Sequence, residues 1–139
     1  MTREVIIVPP ELSLDVAWLI MNRERIRHLP VARGGVLLGI LSDRDVLLRS
    51  SLGPNGNVVV PKGLVAVAMT ASPVTCVPST PVAQLVRLMT ERKIDAIPVI
   101  TGDERLVGLV TSTDLLLLLI DFEEARPLPF EFRLREAAA

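Results

Sequence analysis

Two short stretches set a hydroxyl and a carboxylate three residues apart: Ser42 with Asp45, and Thr111 with Asp114. Each follows an apolar run that carries a glycine, Gly39 in the first and Gly108 in the second, and each stands where a helix would begin. At a helix start such a pair lies on one face of the first turn, beside backbone N–H groups that have no intrahelical partner. The carboxylate can accept the protons of both ribose hydroxyls, while the hydroxyl and the N–H groups can donate to a phosphate. A glycine at the end of a strand permits a ligand to approach the backbone closely. The same residues also serve as helix caps, with Ser or Thr accepting from the backbone and Asp reaching back to it. Capping and binding are compatible, and the residues alone leave both open.

Covalent chemistry has few candidates. His28 is the only histidine and Cys76 the only cysteine. No serine or cysteine stands in a nucleophile-elbow motif, no carboxylate–histidine cluster suggests a catalytic metal, and the glycine-rich signatures of dinucleotide and P-loop sites are missing. The expectation is a protein that is not an enzyme, with no catalytic residue, no metal site and no required cofactor. A lone cysteine also excludes an internal disulfide and a structural zinc site, which fits a reducing compartment. The net charge of −1 supplies no field for nucleic acid or an anionic membrane. Leu115 to Ile120 is the most apolar run, but Asp114 and Asp121 bound it and it is far too short to span a bilayer. No charged and then apolar leader opens the chain, so the expected location is the cytoplasm.

The elements that must position these pairs come in duplicate. At a spacing of 68, Met1-Thr2 meets Met69-Thr70, Pro10 meets Pro78, Met21 meets Met89, and Pro30-Val31 meets Pro98-Val99. The spacing then becomes 69, because one hairpin turn holds an extra residue, and Gly39, Ser42 and Asp45 meet Gly108, Thr111 and Asp114. Leu14, Ala17, Trp18 and Met21 stand at i, i+3, i+4 and i+7, the single-face spacing of an amphipathic helix, and Val82, Leu85, Val86 and Met89 repeat it. Ser13 is placed as N-cap of the first helix, and Thr80 as N-cap of the second with Pro81 at its first position.

A short extended stretch closed by a proline precedes each helix, Ile6 to Val8 and Val74 to Val77. Two apolar strands follow each: Leu29 to Ala32 and Val36 to Leu41 around Arg33-Gly34-Gly35, then Ile97 to Ile100 and Leu106 to Val110 around a turn with Gly102-Asp103. A second helix starts near Asp43 and near Ser112. The chain thus divides into a first copy over 1–50, a linker over 51–68 with a short helix at Leu64 to Met69, a second copy over 69–121, and a tail over 122–139. In the tail Phe130, Phe132 and Leu134 alternate with charges, which predicts a strand docking one face. Half of the residues are hydrophobic and only 3% aromatic, so the core is built from aliphatic side chains. One unit of this size would leave apolar faces open, so the copies should pack together.

This order of elements, the Leu-Pro-Val and Ile-Pro-Val strands, and the closing motifs Gly39-Ile40-Leu41-Ser42-Asp43-Arg44-Asp45 and Gly108-Leu109-Val110-Thr111-Ser112-Thr113-Asp114 resemble CBS domains. The resemblance implies an α+β fold of two pseudo-twofold-related β-α-β-β-α repeats, each a small mixed sheet packed on helices. It also implies a regulatory module with two clefts for adenosine-containing ligands (AMP, ADP, ATP or S-adenosylmethionine), often a homodimer, acting on an unknown partner protein. Residues before the Pro-Val strand would lie beside the ligand: Arg27 and His28 in copy one, Asp95 and Ala96 in copy two. The first site is expected to gather Arg27, His28, Ser42, Arg44, Asp45, Val74, Thr75 and Ile97. The second is expected to gather Ile6, Ile7, Leu29, Ala96, Thr111 and Asp114. A charged hydrogen bond contributes about 1.5–3 kcal/mol, or roughly ten- to hundredfold in affinity, so Arg27 and Arg44 would make the Asp45 cleft the one that prefers a phosphate. Ordinary surface pairing of these arginines with Glu24 or Asp43 is the competing expectation, and a ligand-free docking module is the competing function.

Overall fold

The computed structural model describes residues 4–123 and 127–137, with side chains left aside for 121–123. Helix α1 (Leu14–Glu24) buries Leu14, Ala17 and Met21, as the spacing of its apolar residues requires. It ends at Arg25, which is left-handed (φ 55°) and donates its N–H to the Met21 carbonyl. The hairpin β1 (His28–Arg33) and β2 (Val36–Ser42) follows, and α2 (Asp43–Arg49) starts directly from it. Gly34 and Gly35 turn the hairpin with φ of +58° and +81°, the two left-handed residues that a two-residue turn of matching twist demands.

The linker forms a small ribbon, β3 (Ser51–Leu52) with β4 (Val58–Val59), and then α3 (Val65–Ala68), inside the span expected for a short helix. Copy two opens with β5 (Thr70–Ala71) and continues with α4 (Val82–Arg92), β6 (Ala96–Thr101), β7 (Arg105–Thr111) and α5 (Ser112–Glu123). Its architecture repeats that of copy one in detail. Lys93 ends α4 in the left-handed region at φ 53°, with its N–H on the Met89 carbonyl. Val8 bridges Val31 and Cys76 bridges Val99, both in parallel, so each lead stretch pairs at one residue rather than as a full strand. The β6–β7 turn spans Gly102–Glu104, one residue longer than Gly34-Gly35, which accounts for the change of spacing from 68 to 69. One cap differs from expectation. Thr80 accepts the Val77 N–H at 3.0 Å and closes a turn, so Pro81 takes the N-cap place and α4 begins at Val82.

The copies join in one sheet of order β1-β2-β7-β6, with β5 also paired to β2. The contact between hairpins is narrow: Val36 pairs with Arg105, and the Leu106 N–H donates to the Gly35 carbonyl at 2.9 Å. Each copy has its own apolar cluster. The first gathers Val8, Leu14, Leu29, Val31, Leu41 and Val46 with Val65 and Ala68 of α3. The second gathers Cys76, Leu85, Met89 and Ile97. Tail residues 127–137 form no regular element and are exposed, so the strand expected around Phe130 and Phe132 is not formed. No helix among the described residues is long and apolar enough to cross a membrane.

Gly39 serves this packing. A Cβ there would lie 2.7 Å from the Thr70 carbonyl oxygen and 2.7 Å from Met69 Sδ, because β5 pairs Ala71 with Gly39 and Thr70 with Ile40. At Gly108 the nearest atoms are Val99 Cβ and Cγ2 at 3.5 Å, an ordinary contact. Gly39→Ala should therefore push β5 from β2 and destabilise by about 1–3 kcal/mol, a fall in Tm of roughly 3–12 °C. Gly108→Ala should melt close to the wild type. Equal melting of both variants in a thermal scan would contradict this role.

Candidate functional site

Both hydroxyl–carboxylate pairs cap helices. Ser42 Oγ accepts the Asp45 N–H at 3.0 Å while an Asp45 carboxylate oxygen accepts the Ser42 N–H at 2.9 Å. At the second junction the Asp114 Oδ2 accepts from the Thr111 N–H at 2.8 Å and from its hydroxyl at 3.0 Å. The segment before each hairpin is tied to the following helix by its backbone: the Arg27 carbonyl accepts the Asp43 N–H at 2.9 Å, and the Asp95 carbonyl accepts the Ser112 N–H at 2.8 Å. These bonds hold the two motif types in fixed relation within each copy.

Between the copies lies a cleft of about 450 Å³, within the range of small-molecule sites. One wall is copy one: Glu4, Val5 and Ile6 of the lead stretch, then Arg25, Ile26, Arg27 and His28. The other is the strand-to-helix junction of copy two: Leu109, Thr111, Thr113 and Asp114. The expected grouping is thereby corrected. Arg27 and His28 line the cleft that holds Thr111 and Asp114, whereas they were expected with Asp45. The Arg27 carbonyl is engaged with Asp43 of its own copy, while Arg27 and His28 line the cleft opposite Leu109, Thr111, Thr113 and Asp114 of the other. By the repeat spacing, Lys93, Asp95 and Ala96 occupy the places in copy two that Arg25, Arg27 and His28 occupy in copy one.

Other expected residues sort differently. Ile6 lines the cleft, whereas its neighbour Ile7 is 49% exposed and is not part of the lining. Leu29 and Ile97 are wholly buried, each inside its copy's apolar cluster, and are not part of the cleft lining. Ala96 is buried at the start of β6, and Val74 and Thr75 are half-buried in the second lead stretch. Ser42 and Asp45 are half-buried and Arg44 exposed. The surface-pairing alternative for the arginines is not realised among the described residues: Glu24 pairs with Arg23, and Asp43 accepts the backbone N–H of Arg44.

Arg25, Thr113 and Leu109 are lining residues beyond those expected. Arg25 carried a signal in the sequence, since its counterpart Lys93 is also basic and both close a helix. Burial pushes the His28 pKa below its ordinary value; Asp43 opposes this, Arg27 adds to it, and Asp95 and Asp45 oppose it. His28 is thus a neutral donor–acceptor near neutrality. Burial also raises the Cys76 thiol, so a thiolate is disfavoured there. Among the described residues no group of three or more His, Cys, Asp or Glu could hold a metal ion. The cleft offers apolar contact from Val5, Ile6, Ile26 and Leu109, a capping carboxylate at Asp114, and guanidinium groups from Arg25 and Arg27.

Comparison with known proteins agrees with this architecture. The CBS domain matches twice, over residues 1–51 and 64–121. An inosine-5′-monophosphate dehydrogenase of Korarchaeum cryptofilum is 34% identical over 140 residues, covering 99% of this chain but only 26% of the dehydrogenase, so the chain spans about a quarter of that protein. A CBS domain-containing protein of Dictyostelium discoideum is 34% identical over 134 residues, covering 91% of this chain and 92% of its own. Among solved structures, the CBS domain pair of MJ0100 in complex with 5′-methylthioadenosine and S-adenosyl-L-methionine is 28% identical, with a TM-score of 0.72 over 86% of this chain and 90% of that one. CBSX2 in complex with AMP shares the fold at 24% identity and a TM-score of 0.77, over 86% of this chain and 91% of that one. With both copies matched in sequence and the scaffold itself duplicated, the chain belongs to the CBS-domain family and carries two copies of the domain.

Proposed function

We propose that this CBS pair is a non-catalytic regulatory module that binds an adenosine-containing ligand in the Asp114 cleft and signals to a partner protein by a ligand-dependent change of conformation. One observation carries the reading: a single cleft of about 450 Å³ sets Thr111 and Asp114 of one copy against Arg25 and Arg27 of the other. Ile6 and Leu109 supply apolar contact for an adenine, Asp114 a carboxylate for ribose hydroxyls, and the two guanidiniums a seat for phosphate. The likeness to the MJ0100 pair, crystallised with 5′-methylthioadenosine and S-adenosyl-L-methionine, supports the adenosine class. Two guanidiniums favour AMP, ADP or ATP over an uncharged nucleoside. The phosphate preference expected for the Asp45 cleft is therefore assigned to the Asp114 cleft instead, since Asp95 stands on the Asp45 side where Arg27 would have its counterpart. A cytoplasmic homodimer is part of the same proposal, supported by the leucines that α1 and α2 leave in solvent, Leu19 and Leu48; sedimentation at micromolar concentration reads its mass.

Calorimetric titration with AMP, ADP and ATP tests the site. Arg27→Ala and Asp114→Ala should each weaken binding about ten- to hundredfold, while Asp45→Ala and Arg44→Ala should bind as the wild type. Intact binding in Asp114→Ala with binding lost in Asp45→Ala would overturn the assignment. A ligand at a hundred times its Kd should add about 2.7 kcal/mol to folding stability. A melting temperature unmoved by every adenosine compound would favour a ligand-free docking module, the reading to which the exposed Leu116 to Ile120 of α5 lend support.

The cleft also has a pH signature. Because the folded state depresses His28, the unfolded chain takes up that proton first as pH falls through the ordinary value of 6.5. Stability associated with neutral His28 is present in full above that value and declines below it. In a series of melts between about pH 7.5 and 5.5, His28→Gln should lose part of the wild-type decline; identical slopes would place the titrating group elsewhere.

A further inference from the structure

The two copies differ in one more respect, on the side of the helices. In copy one the groove between α1 and α2 is closed by the linker. Residues 61–64 run along the start of α1, where the Leu14 N–H donates to the Gly63 carbonyl at 2.7 Å and the Val65 N–H to the Leu12 carbonyl at 2.8 Å. Val65 and Ala68 of α3 then join Leu14, Ala17, Met21 and Val46 in the apolar cluster. In copy two the matching groove between α4 and α5 is open, with a volume of about 560 Å³. Val82, Val86, Leu115, Leu116 and Leu119 line it, and no described charged side chain does. The contrast is sharpest at equivalent positions, since Leu14 is 1% exposed and Val82 is 50% exposed. The Val82 N–H, which corresponds to that of Leu14, has no backbone partner among the described residues.

The chain itself holds a segment suited to this groove. Carrying the spacing of 69 past the second copy places Leu134 where Val65 stands and Ala137 where Ala68 stands, with Phe130 and Phe132 in place of Pro61 and Gly63. Residues 133–139 read Arg-Leu-Arg-Glu-Ala-Ala-Ala, all good helix formers, with Leu134 and Ala137 on one face. In the present conformation Leu134 is 97% exposed and the groove is empty of the tail. Leu134 stands eleven positions beyond the end of α5 at Glu123. Extended, that stretch reaches about 36 Å, whereas all of α5 measures only about 18 Å. Pro127 and Pro129 prevent α5 from simply continuing.

We infer that residues 130–137 of the same chain dock into the α4–α5 groove as a strap, in the manner in which residues 61–68 close the α1–α2 groove. In the docked form the Val82 N–H donates to the Phe132 carbonyl, and the last turn becomes helical as Leu134 is buried. So short a helix is not stable alone, so its order depends on the groove.

Cross-linking in the full chain tests the strap. In a Cys76→Ala background, Val82→Cys combined with Leu134→Cys should form an intramolecular disulfide in the monomer within a mild oxidation, and Val82→Cys with Glu104→Cys should not. A dimeric cross-linked product would assign the groove to a second copy, and no cross-link would leave the tail free; either result overturns the strap. Hydrogen exchange supplies a reading without cysteines. The Val82 amide should exchange at least tenfold faster in Leu134→Glu than in the wild type, while Leu134→Ile keeps it slow. The tail is exposed in the present conformation, so neither variant threatens the fold, and equal exchange in all three proteins counts against the strap.

Discussion

The backbone of Thr70 lies against Gly39 with no room for a side chain between them. That approach stitches the first residues of copy two to the inner strand of copy one, and much of the molecule hangs from it. Directly before Thr70, α3 is drawn onto α1 and α2 and completes the first apolar cluster. Beyond it, β2 also meets β7 at Val36 and Arg105, so one strand contacts its own hairpin partner and two pieces of the other copy. A unit of about fifty residues buries too small a share of its surface to stand alone. The duplication solves this by letting each copy complete the other, at a seam that tolerates only glycine at its tightest point.

The duplication was legible because it is written twice. Helix faces, hairpins, the extra turn residue and even the four-residue α3 follow from periodicity and spacing, and the structure departs from them by a residue or so, as where Pro81 rather than Thr80 precedes α4. The cleft was legible only in its parts. Spacing identifies which residues are equivalent, but it does not say which copy a given wall faces. That is decided by backbone direction: the Arg27 carbonyl is spent on Asp43 of its own copy, and its side chain is left to the other. Nor can a three-residue lead stretch closed by a proline announce which of Ile6 and Ile7 turns inward. The resemblance assigns Leu29 and Ile97 to the site, yet both stand in continuously buried stretches of β1 and β6 and belong to the apolar clusters.

Duplication of the backbone does not duplicate the electrostatics. Left-handed residues end both first helices, and both are basic, Arg25 and Lys93. Two positions later the signs diverge, Arg27 against Asp95. In the cleft that holds Asp114 the position supplies a guanidinium, whose fork matches phosphate geometry; in copy two the matching position carries a carboxylate. Arg27 against Asp95, His28 against Ala96 and Thr113 against Arg44 thus make chemically different the positions that the scaffold makes alike.

The location of the cleft bears on how binding would be felt elsewhere. Its two walls come from different copies, joined by a narrow seam between hairpins. A ligand shifts a conformational equilibrium only by the difference in its affinity for the two states. One that touches Arg25 and Arg27 on one wall and Thr111 and Asp114 on the other makes its full set of contacts only at one spacing of the copies, so the proposed ligand biases their arrangement by as much as the contacts of either wall are worth. A site formed within one copy would lack that leverage. Because Thr111 and Asp114 also cap α5, the wall that would sense the ligand is continuous with the helix whose leucines face solvent, which gives the cleft a direct mechanical route to the surface on which a partner would act.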